Sequence, residues 1–208
     1  DASMNTKQKI GRACMIVGIL LILGALALLG YNQWDANRAD KASQDALGKL
    51  EETLTETIED KTKDEEPVVQ PELDPEQEMT VTDIDGWGYI GYLSIPSIGL
   101  ELPVMSEWSY PRLKIAPCRQ FGSSRTDDLV IAAHNYESHF GKLTSLTVGD
   151  SVTFTDMDGI VNEYVVNKVE VLDPHSVEEV EHSGYALVLY TCTYGGKTRV
   201  TVFCDRAS

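Results

Sequence analysis

Basic residues are scarce in this chain, and that scarcity limits the partners it can bind. The 208 residues contain 17 lysines and arginines against 33 aspartates and glutamates, which gives a formal net charge of −16. A nucleic-acid-binding surface needs clustered positive charge to displace counterions from phosphates. We therefore exclude nucleic acid as a partner.

Cysteine is also rare, and its four positions contain no Cys-x-x-Cys pair. This spacing argues against a zinc knuckle, a thioredoxin-type site and a disulfide framework. Cys14 falls in an apolar run, and Cys118 and Cys204 are expected to be packing residues, with a disulfide between them as the alternative. No cofactor is expected, although the acidic loops leave calcium open without any EF-hand spacing to support it.

One uncharged apolar run is long enough to cross a membrane. As a helix, residues 13–31 rise about 28 Å, which is close to the thickness of the hydrocarbon core. The basic residues that precede the run are Lys7, Lys9 and Arg12. The positive-inside rule therefore places residues 1–12 in the cytoplasm and the rest of the chain outside the cell, as a single-pass membrane protein. A cleaved signal peptide is the alternative, because Ala25-Leu26-Ala27 has a small-x-small pattern, and residues 1–3 resemble a cloning remnant ahead of Met4.

Residues 32–80 are expected to form an acidic stalk. Between Asp35 and Met79 there are 15 acidic and 5 basic residues and no aromatic residue. Apolar residues at spacings of three and four predict an amphipathic helix, with a solvated spacer as the alternative. They are Leu47, Leu50, Leu54 and Ile58. The prolines at positions 67, 71 and 75 favour an extended spacer that holds a catalytic domain away from the membrane.

Residues 81–208 have a sequence pattern typical of an all-β barrel or sandwich, because short β-branched and aromatic runs alternate with Gly, Pro, Asn and Asp. Seven strands are expected, at Gly88–Ile95, Leu100–Met105, Leu129–His134, Ser151–Asp156, Val161–Leu172, Ala186–Thr191 and Arg199–Cys204. Asp158-Gly159 predicts a hairpin turn. Short helices are expected near Tyr110–Lys114 and Phe140–Leu146.

Three reactive side chains are expected at strand ends. Cys192 and His134 each end an apolar run, and Arg199 opens a strand after a Gly195-Gly196 loop. Neighbouring strands lie about 4.8 Å apart, so the thiol and the guanidinium can be neighbours. Because a thiol attacks acyl carbons only as the thiolate, it needs a nearby base or cation. We predict Cys192 as the nucleophile, His134 as the acid that protonates the leaving amine, and Arg199, or alternatively Arg206, as the hydrogen-bond donor to the substrate or the oxyanion.

For the other polar and aromatic side chains, the sequence predicts a location rather than a chemical role. Asn135 and Tyr136 are expected to orient His134 or to line a substrate groove. The remaining histidines, at positions 139, 175 and 182, lie in polar loops and are expected at the surface. Trp108 is expected in the core or at its rim, and whether the segment from Trp108 to Pro117 covers the site is left open.

Three motifs resemble those of one family. The run YLSIPSIGLELPVM resembles its first strands, AAHN its histidine motif, and LYTCTYGGKTR its Thr-x-Thr-Cys…Arg signature, with Leu189 at the first Thr. From Gly88 to Phe203 the chain thus resembles the sortases, cysteine transpeptidases of Gram-positive bacteria. The resemblance implies a closed eight-stranded β-barrel with short helices. Cys192 follows His134 by only 58 positions, which leaves little room for the long helical insertion of class B sortases, so we expect a compact barrel of undecided subclass.

The resemblance also implies a reaction. Cys192 would attack a Thr-Gly type bond in the C-terminal sorting motif of a surface protein or pilin. An amine of a peptidoglycan precursor or a pilin lysine would then release the thioester, anchoring the protein to the cell wall or extending a pilus. Thr191 would lie in the groove that binds the motif.

Two other classes of protein remain as alternatives. In an extracytoplasmic cysteine protease, water would replace the amine, although the caspase Gln-Ala-Cys signature is missing. A non-catalytic β-barrel module could instead hold a metal ion, and the residues considered for such a site are His134, His139, Cys192 and Cys204.

Overall fold

The computed structural model describes residues 6–62, 73–192 and 196–208. The expectations about a start at Met4, about Pro67 and Pro71, and about the first glycine of the Gly195-Gly196 loop lie outside these ranges. The chain divides into two compact units, Asp1–Arg38 and Ala39–Ser208.

A long helix, α1, runs from Thr6 to Thr62 and supplies the described part of the first unit. The large apolar side chains of its first half are exposed rather than packed, as Leu21 and Leu29 illustrate with 69% and 65% of their surface accessible. Among the described residues, α1 is the one helix long and apolar enough to cross a membrane. Length and composition make it a candidate membrane span.

Nine strands form the sheet of the second unit. They are β1 Thr82–Ile84, β2 Trp87–Ile95, β3 Leu100–Met105, β4 Cys118–Phe121, β5 Leu129–Ala133, β6 Ser151–Asp156, β7 Val161–Leu172, β8 Leu187–Thr191 and β9 Arg199–Arg206. The sheet order is β1-β2-β3-β4-β5-β8-β9-β7-β6, and β6 also pairs with β2. The pairing of β6 with β2 closes the strands β2 to β9 into an eight-stranded barrel. This closure confirms the expected fold class. Strand β1 is an additional strand at the edge, paired with β2.

Closure of the barrel requires a glycine in β2. The register between β2 and β3 shifts between Tyr89 and Gly91, which marks a β-bulge. Gly91 has φ +148° and pairs with Asp156 of β6; a Cβ atom there would lie 2.0 Å from the carbonyl oxygen of Thr155. Only glycine lets the two backbones approach this closely.

Apolar side chains pack on both faces of the barrel wall. One cluster fills the interior and includes Leu93, Phe154 and Leu189. A second cluster covers the outer face of β5 and β8 and includes Val130 and Val188. Every residue of β5 and β8 is buried, which explains why LVIAA and LVLYT read as continuous apolar runs.

The second half of α1 supplies part of the outer cluster. Leu50 and Leu54, on the face that the sequence predicts to be apolar, are buried in the same cluster as Tyr89 of β2. Lys49 of α1 forms an ion pair with Asp85, between β1 and β2. This stretch of the acidic segment therefore packs on the barrel, whereas the domain boundary at residue 81 stays a prediction.

Leu50→Ala is expected to destabilise the second unit by about 2–4 kcal/mol, because Leu50 is fully buried and its truncation leaves a cavity between α1 and the barrel. The measurement is urea denaturation of the full chain in detergent micelles, followed by near-ultraviolet circular dichroism. Glu51→Ala, at an exposed neighbouring position, is the control and should change stability by less than about 0.5 kcal/mol. Equal stability of the two variants would show that α1 does not support the barrel.

The short elements differ more from expectation than the long ones. Two further helices are present, α2 at Tyr110–Leu113 and α3 at Val177–Glu181, with 3₁₀ turns at Pro96–Ile98 and Leu143–Ser145. Helix α2 lies in the segment expected to be helical near Tyr110–Lys114, and the 3₁₀ turn Leu143–Ser145 lies in the one expected near Phe140–Leu146. The elements α3, β1 and β4 were not predicted, because each is only three to five residues long and carries too few periods for a pattern. Cys118 and Cys204 are free buried thiols, so the alternative of a disulfide between them is wrong.

Candidate active site

Two parallel strands bring the histidine and the cysteine together. In the register of β5 with β8, Ala133 pairs with Thr191, so His134 and Cys192 are the next residues at the same end of two adjacent strands. The backbone N–H of Cys192 donates a hydrogen bond of 2.7 Å to the carbonyl oxygen of Ala133. The strand ends are therefore fixed relative to each other.

His134 and Cys192 also face the same space. Both line a cavity of about 330 Å³ whose other lining residues are Tyr110, Leu113 and Lys114. The last three residues belong to α2 and its C-terminal end, so α2 forms one wall of the cavity. The cavity thus holds a thiol and an imidazole in reach of one bound group.

Cys192 is almost completely buried, with 1% of its surface exposed. Burial raises the pKa of its thiol above the ordinary value, while the Arg199 guanidinium and the indole N–H of Trp108 lower it. Burial has the largest effect, so the neutral thiol is the main form near neutral pH. A thiolate with a high pKa is a strong nucleophile, so even a minor ionised fraction of this thiol is reactive.

The imidazole of His134 stacks on one aromatic ring, which in turn contacts a second ring. The ring of Tyr136 stacks on it with centroids 3.8 Å apart and planes 17° from parallel, and His139 meets Tyr136 edge-on at 5.3 Å. The backbone N–H of Phe140 donates to the carbonyl oxygen of His134 at 3.1 Å, which fixes the loop. Tyr136 is 8% exposed, so its ring is placed to orient His134.

Arg199 lies beside the cysteine on the neighbouring strand. Its guanidinium carbon is 5.2 Å from the centre of the Tyr190 ring, two residues before Cys192. Tyr190 in turn donates from its hydroxyl to Gln120 at 3.0 Å. Arg199 also lines a second, smaller cavity together with Asp173 and Glu181, between the β7–β8 connection and the barrel. The cation–π contact with Tyr190 therefore holds the Arg199 guanidinium at the edge of the site.

Thr191 joins β8 to β9. Its hydroxyl oxygen accepts a hydrogen bond of 3.0 Å from the backbone N–H of Val200, and its side chain is buried. This bond holds the start of β9 against the end of β8, which keeps Arg199 near Cys192.

Comparison with known proteins decides the family. A family model described as a sortase domain matches residues 93–207, more than half of the chain. The chain belongs to the sortase family. Among curated relatives, sortase A of Bacillus anthracis is 28% identical over 187 residues, covering 87% of each chain.

Solved sortase structures share the fold of this sortase. Sortase C of Streptococcus pneumoniae superposes with a TM-score of 0.51 at 24% identity, over 77% of this chain and 89% of that chain. Sortase D5 of Clostridium perfringens gives a TM-score of 0.53 at 18% identity, over 83% of this chain and 99% of that chain. These likenesses show a common barrel and leave the subclass of this sortase open.

The structure separates the two arginines considered for the sortase site. Arg199 begins β9 near Cys192, whereas Arg206 ends β9 beside Tyr164 of β7. Arg206 donates to Asp127 at 2.7 Å, to the carbonyl oxygen of Ser124 and to Asn162. Its side chain is occupied far from the cavity, so the alternative of Arg206 finds no support in the geometry.

The four residues considered for a metal site do not all come together, although His134 and Cys192 share a cavity. Cys204 pairs with Leu187 at the far end of β8 from Cys192 and points into the barrel interior, whereas Cys192 belongs to the outer cluster. In the described parts of the chain, no three His, Cys, Asp or Glu side chains are grouped so that they could hold a metal ion.

Sequence reasoning placed some side chains at the site wrongly or missed them. His139 is fully buried beneath Tyr136, not at the surface, while His175 and His182 are exposed as expected. Asn135 is exposed next to His134. The wall formed by α2 and the position of Trp108 near Cys192 were not predicted, and the signal for them in the sequence is the concentration of aromatic residues between Trp108 and Tyr110.

Proposed function

We propose that this sortase is a membrane-anchored transpeptidase in which Cys192, His134 and Arg199 act together. Family membership supports cysteine transpeptidase activity in general. The observation that carries the residue assignment is the shared cavity of Cys192 and His134 at the paired ends of β5 and β8.

In the proposed first half-reaction, the Cys192 thiolate attacks the carbonyl carbon of a Thr-Gly type bond in a sorting motif. The C–S bond forms, the C–N bond breaks, and imidazolium at His134 gives its proton to the departing amine. The Arg199 guanidinium donates hydrogen bonds to the substrate backbone or to the developing oxyanion. The product is a thioester on Cys192.

In the second half-reaction an acceptor amine attacks the thioester carbon. The amine gives a proton to the imidazole of His134, a new amide forms, and the sulfur leaves as the thiolate. The proposed donors are surface proteins or pilins that carry a sorting motif, and the proposed acceptors are a peptidoglycan precursor or a pilin lysine. Asn135 and Thr191 are proposed to border the bound motif, and Tyr136 to hold the imidazole.

The proposed location follows from the first helix. Residues 13–31 would span the cell membrane of a Gram-positive bacterium, with residues 1–12 inside and the catalytic domain, residues 81–208, outside. Residues 32–80 would connect the two. The exposed apolar side chains of α1 and the basic residues ahead of them support this arrangement.

A peptide assay tests the proposed function. The full chain in detergent micelles is incubated with a library of peptides that share a Thr-Gly bond, with and without triglycine, and the products are identified by mass spectrometry. We expect cleavage after Thr and a triglycine adduct. Cleavage with hydrolysis alone in the presence of triglycine would identify a cysteine protease, and intact peptides throughout would indicate a non-catalytic module.

Arg199→Lys is expected to lower kcat/KM by about a hundredfold, because a point charge cannot replace the planar, bidentate donor set of arginine. Steady-state cleavage of the preferred peptide measures the effect. Arg206→Lys is the matched control at the other end of β9, and its kcat/KM should remain within about threefold of wild type. Full activity of Arg199→Lys combined with inactivity of Arg206→Lys would exchange the roles of the two arginines.

A further inference from the structure

Trp108 lies near Cys192, in the segment between β3 and α2. Its ring packs on the outer cluster that contains Cys192 and Leu113. It also meets the ring of Tyr110 edge-on, with centroids 4.9 Å apart, and Tyr110 lines the cavity of Cys192 and His134. The indole is therefore part of the surroundings of the active sulfur.

Hydrogen bonds fix the segment on both sides of Trp108. The backbone N–H of Ser106 donates to the carbonyl oxygen of Gly88 at 2.8 Å, and Arg119 Nε donates to the carbonyl oxygen of Ser106 at 2.9 Å. After Trp108, the Ser109 hydroxyl caps α2 by accepting from the backbone N–H of Arg112 at 3.3 Å. Trp108 is thus held in place before any substrate binds.

An ion pair and a ring contact support the same segment from outside. Arg112 pairs with Glu107 at 3.2 Å, and its guanidinium carbon lies 5.3 Å from the centre of the Trp87 ring. These contacts hold the residues on both sides of Trp108.

The indole N–H of Trp108 is buried and has no hydrogen-bond acceptor within bonding geometry among the residues that the structure describes. Leaving such a donor unsatisfied in a buried position is energetically costly. The Trp108 side chain lies close enough to Cys192 to lower the pKa of its thiol, so the sulfur is the nearby group that could take up this donor. A neutral thiol is a weak acceptor, whereas an anionic sulfur is a strong one. An anionic sulfur would therefore offer this donor a far better acceptor than the neutral thiol does.

We propose that Trp108 is a catalytic residue whose indole N–H stabilises the anionic form of Cys192 by donating a hydrogen bond to its sulfur. This proposal rests on the proposed function, in which Cys192 is the nucleophile. Burial disfavours the anion, and the N–H offsets part of that cost at the atom that carries the charge. Trp108 and Arg199 then act on the same sulfur from two different elements of the fold.

A purely steric role for Trp108 predicts the opposite effect on activity. If the ring only covered Cys192, a smaller side chain would open the site and turnover would rise. If the N–H stabilises the thiolate, removing it lowers turnover near neutral pH and the loss diminishes at high pH.

The test uses Trp108→Phe in the full chain in detergent micelles. The rate of alkylation by iodoacetamide is measured as a function of pH, because it reports the thiolate fraction without any peptide substrate. We expect the midpoint of the profile to move up by about one pH unit and kcat/KM for the Thr-Gly peptide at pH 7 to fall about tenfold, with KM nearly unchanged. Trp87→Phe is the matched control and should leave the midpoint where it is in wild type.

A second variant separates the N–H from the shape of the ring. β-(3-Benzothienyl)alanine at position 108 keeps the bicyclic ring and replaces the N–H by sulfur, so it should reproduce the shift seen in Trp108→Phe. An unchanged or lowered midpoint in both variants, or faster turnover, overturns the proposal. If the wild-type protein forms no adduct with triglycine, the proposed transpeptidase function is wrong. The alkylation profile needs no peptide, so it still tests the effect of Trp108 on the Cys192 thiolate.

Discussion

Cys192→Ala is expected to abolish both the thioester and the triglycine adduct while the barrel remains folded. The sulfur is the atom that forms the bond to substrate in the proposed mechanism, and among the described residues no other thiol lines the cavity beside His134. Removing one small buried side chain at the end of β8 costs the fold little compared with loss of a large core residue. Mass spectrometry of the acid-quenched protein measures the thioester, and circular dichroism measures the fold.

Cys118→Ala is the matched control for that prediction. Cys118 is a buried thiol of the same outer cluster, and burial raises its pKa to about 12, so it stays neutral at physiological pH. We expect kcat/KM within about threefold of wild type. Product formation by Cys192→Ala, or loss of activity in Cys118→Ala with the fold intact, would contradict the assignment of the nucleophile.

His134→Gln is expected to lower kcat/KM for the peptide substrate by about a thousandfold, because proton transfer to the leaving amine is lost. The decisive comparison uses an ester with the same acyl sequence and a nitrophenolate leaving group. Nitrophenolate departs without a proton, so the variant should lose far less activity on the ester than on the amide. Cleavage rates of both substrates measure the difference.

The control for the histidine is His175→Gln, at an exposed position in the β7–β8 connection. Its activity on both substrates should equal that of wild type. An equal loss on ester and amide in His134→Gln would mean that the imidazole does not serve as the acid, and would favour a purely structural role beneath the Tyr136 ring.

The strands were predictable because their patterns are local. The continuous apolar runs of β5 and β8 indicate burial on both faces, and the ends of those runs place His134 and Cys192 at strand termini. Their direct adjacency depends on the parallel pairing of β5 with β8, which joins segments more than fifty residues apart. The residues themselves do not encode that pairing in any local pattern, so the convergence was a hypothesis until the register was known.

Other features could not be predicted for related reasons. The apolar face of α1 indicates that something covers it, but not that the outer cluster of the barrel does so. His139 lies in a polar loop, and only the tight path of the chain around Gly141, where a Cβ would meet the carbonyl oxygen of Asn135 at 2.7 Å, turns it inward. Trp108 gave no sign of its contact with Cys192, because an isolated aromatic residue near a turn is ordinarily a packing residue.

The central claim is that the sulfur of Cys192 and the imidazole of His134 share one cavity, and a bifunctional alkylating reagent tests it most directly. 1,3-Dibromoacetone bridges a thiol and an imidazole only when they lie within the reach of three carbon atoms. The full chain in detergent is treated at a one-to-one ratio, digested and analysed by tandem mass spectrometry. We predict a cross-link between the peptides that contain Cys192 and His134. Single alkylation of Cys192, or a cross-link to another residue in place of His134, would contradict the account.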